Sequence, residues 1–101
     1  MFVVLLTYTA SLDQVDAHLP AHREFLSSNY AAGVFVLSGR KEPRDGGVIL
    51  AQAESRDAFE AVLAQDPFRI HGVASYQIVE FTPTMAAPSL NTLIAAFPAR
   101  A

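Results

Sequence analysis

No cysteine occurs among the 101 residues of this chain, which excludes a disulfide framework, a thiolate nucleophile and any metal centre built on cysteine. Charge is also scarce. Asp, Glu, Lys and Arg make up 17% of the residues, where soluble domains usually carry roughly 25%. Cations are the minority, 7 against 10 anions, for a net charge of −3, so the chain lacks the basic face that displaces counterions from nucleic acid. No apolar run reaches the roughly 18 residues of a membrane helix. The apolar start at Phe2 has neither a basic region before it nor a small-residue cleavage site after it. A cytoplasmic protein that binds neither nucleic acid nor membrane is expected. There are no internal repeats and no low-complexity segment, and the length suits one domain.

What is abundant is hydrophobic residues, 51% of the total, and so much apolar material on so small a chain predicts that a partner chain buries part of it. "FVVLLTYT" (2 to 9) is β-branched and apolar on both faces, as in a strand covered on both sides. "SLDQ" follows as a capping box, with Ser11 and Gln14 at its ends. A helical pattern then runs to about Ala32 and stops at Gly33. Pro20 either kinks it or opens its second half. "VFVLSG" (34 to 39) and "GGVILAQA" (46 to 53) read as an antiparallel hairpin across "RKEPRD". Ser55 caps a second helix with Phe59, Val62 and Leu63 inward, which must end by Asp66 because Pro67 disfavours helical geometry before it. "ASYQIVEFTP" (74 to 83) alternates as the last strand.

Strand, helix, strand, strand, helix, strand is the split βαβ order of an α+β, ferredoxin-like domain over residues 1–83, an antiparallel sheet with two helices on one face. The other face has no internal cover, although strand one is apolar there too, so a second copy is the expected cover and a homodimer the expected state. In the tail, 84–101, Leu90, Leu93, Ile94 and Phe97 follow two prolines at helical spacing. They suit either a short helix on the partner chain or a frayed end.

Asp66 is an anion where a helix ends, the terminus that favours cations. On the first helix the stripe Leu12, Val15, Leu19, His22, Leu26, Tyr30 runs in steps of three and four, which puts His22 in a core-facing slot. A buried imidazole needs hydrogen-bond partners, and in this fold the end of helix two can reach the middle of helix one. Residue pattern leaves two readings open: His22 facing Asp66, or His22 on a backbone carbonyl with Asp66 capping the Pro67 turn.

"AHREFL", "GVFVLSG", "GGVILAQA", "DPF" and "YQIVEFTP", in that order over residues 2 to 83, resemble the YciI family. That resemblance implies a ferredoxin-like fold assembled as a dimeric α+β barrel, with His22 and Asp66 as the active-site pair and Pro67 and Phe68 completing the motif. "SGR" matches the family's Ser-Gly-Pro at Ser38 and Gly39 but departs at Arg40. The resemblance further implies acid–base work without a cofactor, in which a histidine moves a proton between substrate atoms while a carboxylate fixes its tautomer. Isomerisation, elimination or dehydrochlorination of a small organic molecule fits, since one branch of the family is similar to dehydrochlorinases and the wider superfamily includes muconolactone isomerases. The expected pocket is small and largely apolar, roofed by Phe68 and Tyr8 with Ser38 as a donor. A non-catalytic ligand-binding or regulatory dimer is the alternative.

His18 and His22 are four apart and His71 could complete a metal site, but Pro20 lies between the first two and no zinc-type signature surrounds them, so no metal is expected. Arg40, Lys41 and Arg44 could grip an anion. Glu42 and Asp45 are interspersed among them, so a solvated hairpin loop is the expectation. Gly46 and Gly47 are read as serving the hairpin turn, since no strand directly precedes them and no helix follows, as a phosphate loop requires.

Overall fold

The computed structural model describes residues 1–94. β1 (Phe2–Tyr8), β2 (Phe35–Arg40), β3 (Gly46–Ala51) and β4 (Ala74–Glu80) form one antiparallel sheet in the order β2-β3-β1-β4. Between them run α1 (Leu12–Ala17), α2 (Leu19–Ala31), α3 (Arg56–Leu63) and α4 (Pro67–Ile70). A short 3-10 turn (Pro88–Leu90) and α5 (Asn91–Ile94) follow the sheet. This is the ferredoxin-like α+β architecture expected from the order of elements. Of the segment predicted to hold Leu90, Leu93, Ile94 and Phe97, only Phe97 lies wholly outside the described residues.

Local chemistry sets the boundaries. Ser11 and Ser55 each accept a backbone N–H in the first turn of their helices, from Gln14 and Ala58. Gly33 takes a positive φ of 76° just past α2, where a side chain would be strained. Pro20 lies in the first turn of α2 rather than kinking one long helix, so the chain breaks at His18 and restarts. Leu12 and Tyr30, expected inward, are exposed, while Phe25, off the predicted stripe, joins the core. Gly46 and Gly47 open β3, as the strand expected from 46 requires, and lie beside the hairpin turn, not in it. A Cβ on Gly46 would lie 1.8 Å from the carbonyl oxygen of Leu6, so the residue permits close backbone approach.

Phe2, Val4 and Leu6 of β1, with Ile49 and Ala51 of β3, face the helices and pack with Val15, Phe59, Leu63 and Phe68 in the core. Phe2 and Phe59 stack with ring centroids 4.5 Å apart. On the opposite face, Val3, Leu5, Val48, Leu50 and Val79 share the pleat and are covered by no element among the described residues. Between Phe35 and Leu37 the β2–β3 register shifts, with Val36 as the extra residue. From there onward the alternation is inverted: Leu37 turns to the open face, 60% exposed, while Ser38 and Arg40 turn to the helix side. Among the described residues no helix is long and apolar enough to cross a membrane.

Candidate active site

Asp66 ends the α3 segment and begins α4. As the N-cap of α4 its Oδ1 accepts the Phe68 backbone N–H at 3.0 Å, which accounts for an anion at this junction: it serves the helix that follows, not the one that precedes. The same oxygen lies 2.7 Å from His22 Nδ1 on α2. Of the two readings left open by the sequence, the first holds for His22, and from the second the capping role of Asp66 holds beside it. Oδ2 accepts a third bond, from the Tyr76 hydroxyl of β4 at 2.5 Å. Asp66 is 0% exposed and His22 8%. A dry carboxylate with three donors aimed at it is satisfied and held in one rotamer.

An ionised carboxylate only accepts, so the hydrogen shared with His22 sits on Nδ1. In the neutral imidazole that leaves the Nε2 lone pair free. Among the described residues Nε2 has no partner and no buried polar side-chain atom is left unpaired, so this nitrogen reaches open space. The ring is clamped by Phe68, which stacks on it at 3.9 Å and 3°. The space beside it is a cavity of about 190 Å³ lined by Tyr8, His22, Ser38 and Phe68, with Leu6, Leu19, Leu26 and Ile49 supplying most of its apolar wall. Every residue singled out from the sequence for this site thus lies on the cavity or, for Asp66, one hydrogen bond behind it. Tyr8 meets Phe68 edge to face, and the Ser38 hydroxyl bonds to that of Tyr30.

The three histidines do not converge. His22 turns to Asp66, while His18 stacks on His71 with parallel rings 3.9 Å apart, an arrangement in which their in-plane lone pairs cannot point at one ion. Among the described residues no cluster of three metal-ligating side chains occurs. The hairpin cations also separate. Lys41 bonds to Thr7, Arg44 pairs with Asp16 over the Tyr8 ring, and Arg40 lines the cavity. The Arg44 hydrogen bond holds the Asp16 carboxyl below the usual carboxylate range.

Tyr76 was missed by sequence reasoning. The available signal was its place on the helix-facing side of β4, where a tyrosine must find a partner for its hydroxyl. Burial, then the hydrogen bond to Asp66 and its charge, hold that hydroxyl protonated well above the usual tyrosine range. Tyr76→Phe is expected to cost about 1.5–3 kcal/mol near neutral pH, since it strips a donor from a buried carboxylate. A group with a raised folded-state pKa stabilises fully below its unfolded value, 10.0 here, and that stabilisation drains away as pH rises beyond it. The gap between wild type and Tyr76→Phe, read by urea unfolding, should therefore narrow above about pH 10 by up to about 1.4 kcal/mol per pH unit. A gap independent of pH would contradict this.

Residues 1–82 match the family model of the YCII-related domain. Among solved structures the chain is similar to 5-chloro-2-hydroxyhydroquinone dehydrochlorinase (TftG) from Burkholderia phenoliruptrix AC1100, in complex with 2,5-dihydroxybenzoquinone. The TM-score is 0.67 at 18% identity, over 80% of this chain and 93% of that one, a likeness of fold. A variant of SnoaB, a cofactor-independent oxygenase from Streptomyces nogalater, matches with a TM-score of 0.49 at 20% identity, over 86% of this chain and 94% of that one. No curated protein matches significantly.

Proposed function

This chain belongs to the YCII-related domain family, and on that premise we propose that it is a cofactor-independent enzyme in which His22 transfers a proton and Asp66 orients and balances it. The supporting observation is the 2.7 Å bond from His22 Nδ1 to a fully buried Asp66, with Nε2 left free at the cavity. As base, Nε2 removes a proton from a substrate carbon, and the imidazolium that forms is stabilised by the adjacent carboxylate. As acid, it returns the proton elsewhere on the substrate or to a leaving group. Isomerisation and elimination need only these steps. Loss of hydrogen chloride from a ring, the kind of reaction named for TftG, is one such elimination. Ser38 and Tyr8 bind the substrate and Phe68 holds the imidazole plane.

The test uses a panel of enolisable and chlorinated ring compounds in deuterium oxide, followed by proton NMR for exchange at carbon and by chloride release. Wild-type protein is expected to exchange or eliminate at least one of them. Binding of several with exchange of none would favour the ligand-binding module instead.

The proposal includes assembly. The working unit is a homodimer closed through the outer sheet faces, because Leu5, Val48 and Leu50 form a continuous apolar stripe there, flanked by the exposed Leu37 and Val79. The described part of the tail, residues 84–94, with Met85 and Leu90 exposed, lies across the neighbouring chain in this arrangement. Leu5→Lys, which sets a charge at the centre of each face, is expected to convert a particle of twice the 10.9 kDa chain mass into one of that mass by light scattering. A wild type already monomeric at micromolar concentration would remove the dimer.

A further inference from the structure

We infer that the cavity takes a small planar organic anion, one substituted ring in size, with its negative group between Arg23 and Arg40 at the mouth and its reacting atom at His22 Nε2. This names the ligand class for the proton-transfer site and so rests on that reading.

Size is the first constraint. The cavity holds about 190 Å³, and an apolar cavity of about 150 Å³ accommodates benzene, so one ring with a few substituents fills it. Gly39, Gly46 and Gly47 leave one wall as bare backbone against which a flat ring can lie.

Charge is the second. The chain is net negative, yet the residues lining the cavity include two arginines, Arg23 and Arg40, and no Asp or Glu. The neighbouring cations are engaged elsewhere: Arg44 by Asp16 and the Tyr8 ring, and Lys41 by Thr7. Arg23 makes no ion pair among the described residues, although its charge reaches Asp16. Arg40 has one contact, at 3.2 Å to Glu42, and both side chains are more than 70% exposed. An ion pair so open to water yields readily to a better partner.

Placement is the third. Were Val36 paired in unbroken alternation instead of bulged, Arg40 would fall on the sheet's outer face. The bulge brings it onto the same side as Ser38 and His22. The expectation of a merely solvated hairpin loop is thereby revised for Arg40, while Lys41 and Arg44 serve the protein's own contacts. Guanidinium forks match the two oxygens of a carboxylate, while the apolar walls behind them take the ring.

The test titrates benzoate and benzamide, alike in shape and different in charge, into the wild type and an Arg23→Gln/Arg40→Gln double variant at low salt. The observable is the His22 ring resonance, assigned by its absence in His22→Gln. Benzoate is expected to saturate the wild-type shift at a concentration about tenfold or more below benzamide. The double variant, or about 0.5 M salt, should erase that ratio by weakening benzoate alone. Unchanged benzamide binding in the double variant reports an intact cavity. Equal affinity of the two ligands for wild type, or a benzoate preference that survives in the double variant, overturns the anion assignment while leaving the His22 site standing. No movement of the His22 resonance by either ligand overturns both.

Discussion

Asp66→Ala is expected to destabilise the folded chain by about 3–5 kcal/mol, the range seen when one member of a buried, hydrogen-bonded pair is deleted. Three donors converge on this carboxylate: His22 Nδ1, the Phe68 N–H and the Tyr76 hydroxyl, all within 3.0 Å. Alanine leaves each without a partner in a place where the carboxylate has no exposed surface, and it also removes the N-cap of α4, worth about 1 kcal/mol by itself. Asp66→Asn separates these contributions. Its amide oxygen can still cap α4 and accept from His22, but its NH2 cannot accept from Tyr76, so a loss of about 1–2 kcal/mol is expected. Urea unfolding of the two variants measures the difference. A loss under about 1 kcal/mol for Asp66→Ala would mean that water replaces the carboxylate, and the site would then be too wet to hold a fixed pair.

The second large effect concerns rate. On a substrate that the wild type turns over, His22→Gln should lower kcat by about 10²–10⁴, the usual contribution of a positioned proton donor or acceptor. Its KM should move far less, because the walls that hold the ring do not include this nitrogen. Glutamine can still donate to Asp66, so stability is expected to fall by only about 1–3 kcal/mol. The ratio of the two effects is the diagnostic. A histidine kept only for packing would lose stability without a selective loss of kcat, and a His22→Gln variant with wild-type turnover would end the acid–base reading.

Much of the molecule was legible in short stretches of sequence because the forces that write them act within a turn or a strand. The caps at Ser11 and Ser55, the stop at Gly33, the break at Asp66–Pro67 and the two-sided apolar first strand are each decided by neighbours a few residues away. The order of those signals determined the ferredoxin-like fold, and the stripe on the first helix placed His22 inward. The stripe failed at Leu12, the first residue of α1, and within α2, where Phe25, three residues past His22, is buried and Tyr30, next to last, is exposed.

What the tertiary structure alone decided is which distant groups meet. The bond from His22 to Asp66 spans 44 positions, and Tyr76 completes it from an edge strand whose own neighbours do not mark its hydroxyl for Asp66. One extra residue at Val36 sent Ser38 and Arg40 to the cavity side and Leu37 to the open face. The same tertiary packing parted His22 from His18 and His71. The physical reason is that a strand's side chains change face with every residue of register. Register is set by pairing with remote partners, so local pattern can nominate a residue for a site while only the packed chain determines which side it faces and whose proton it shares.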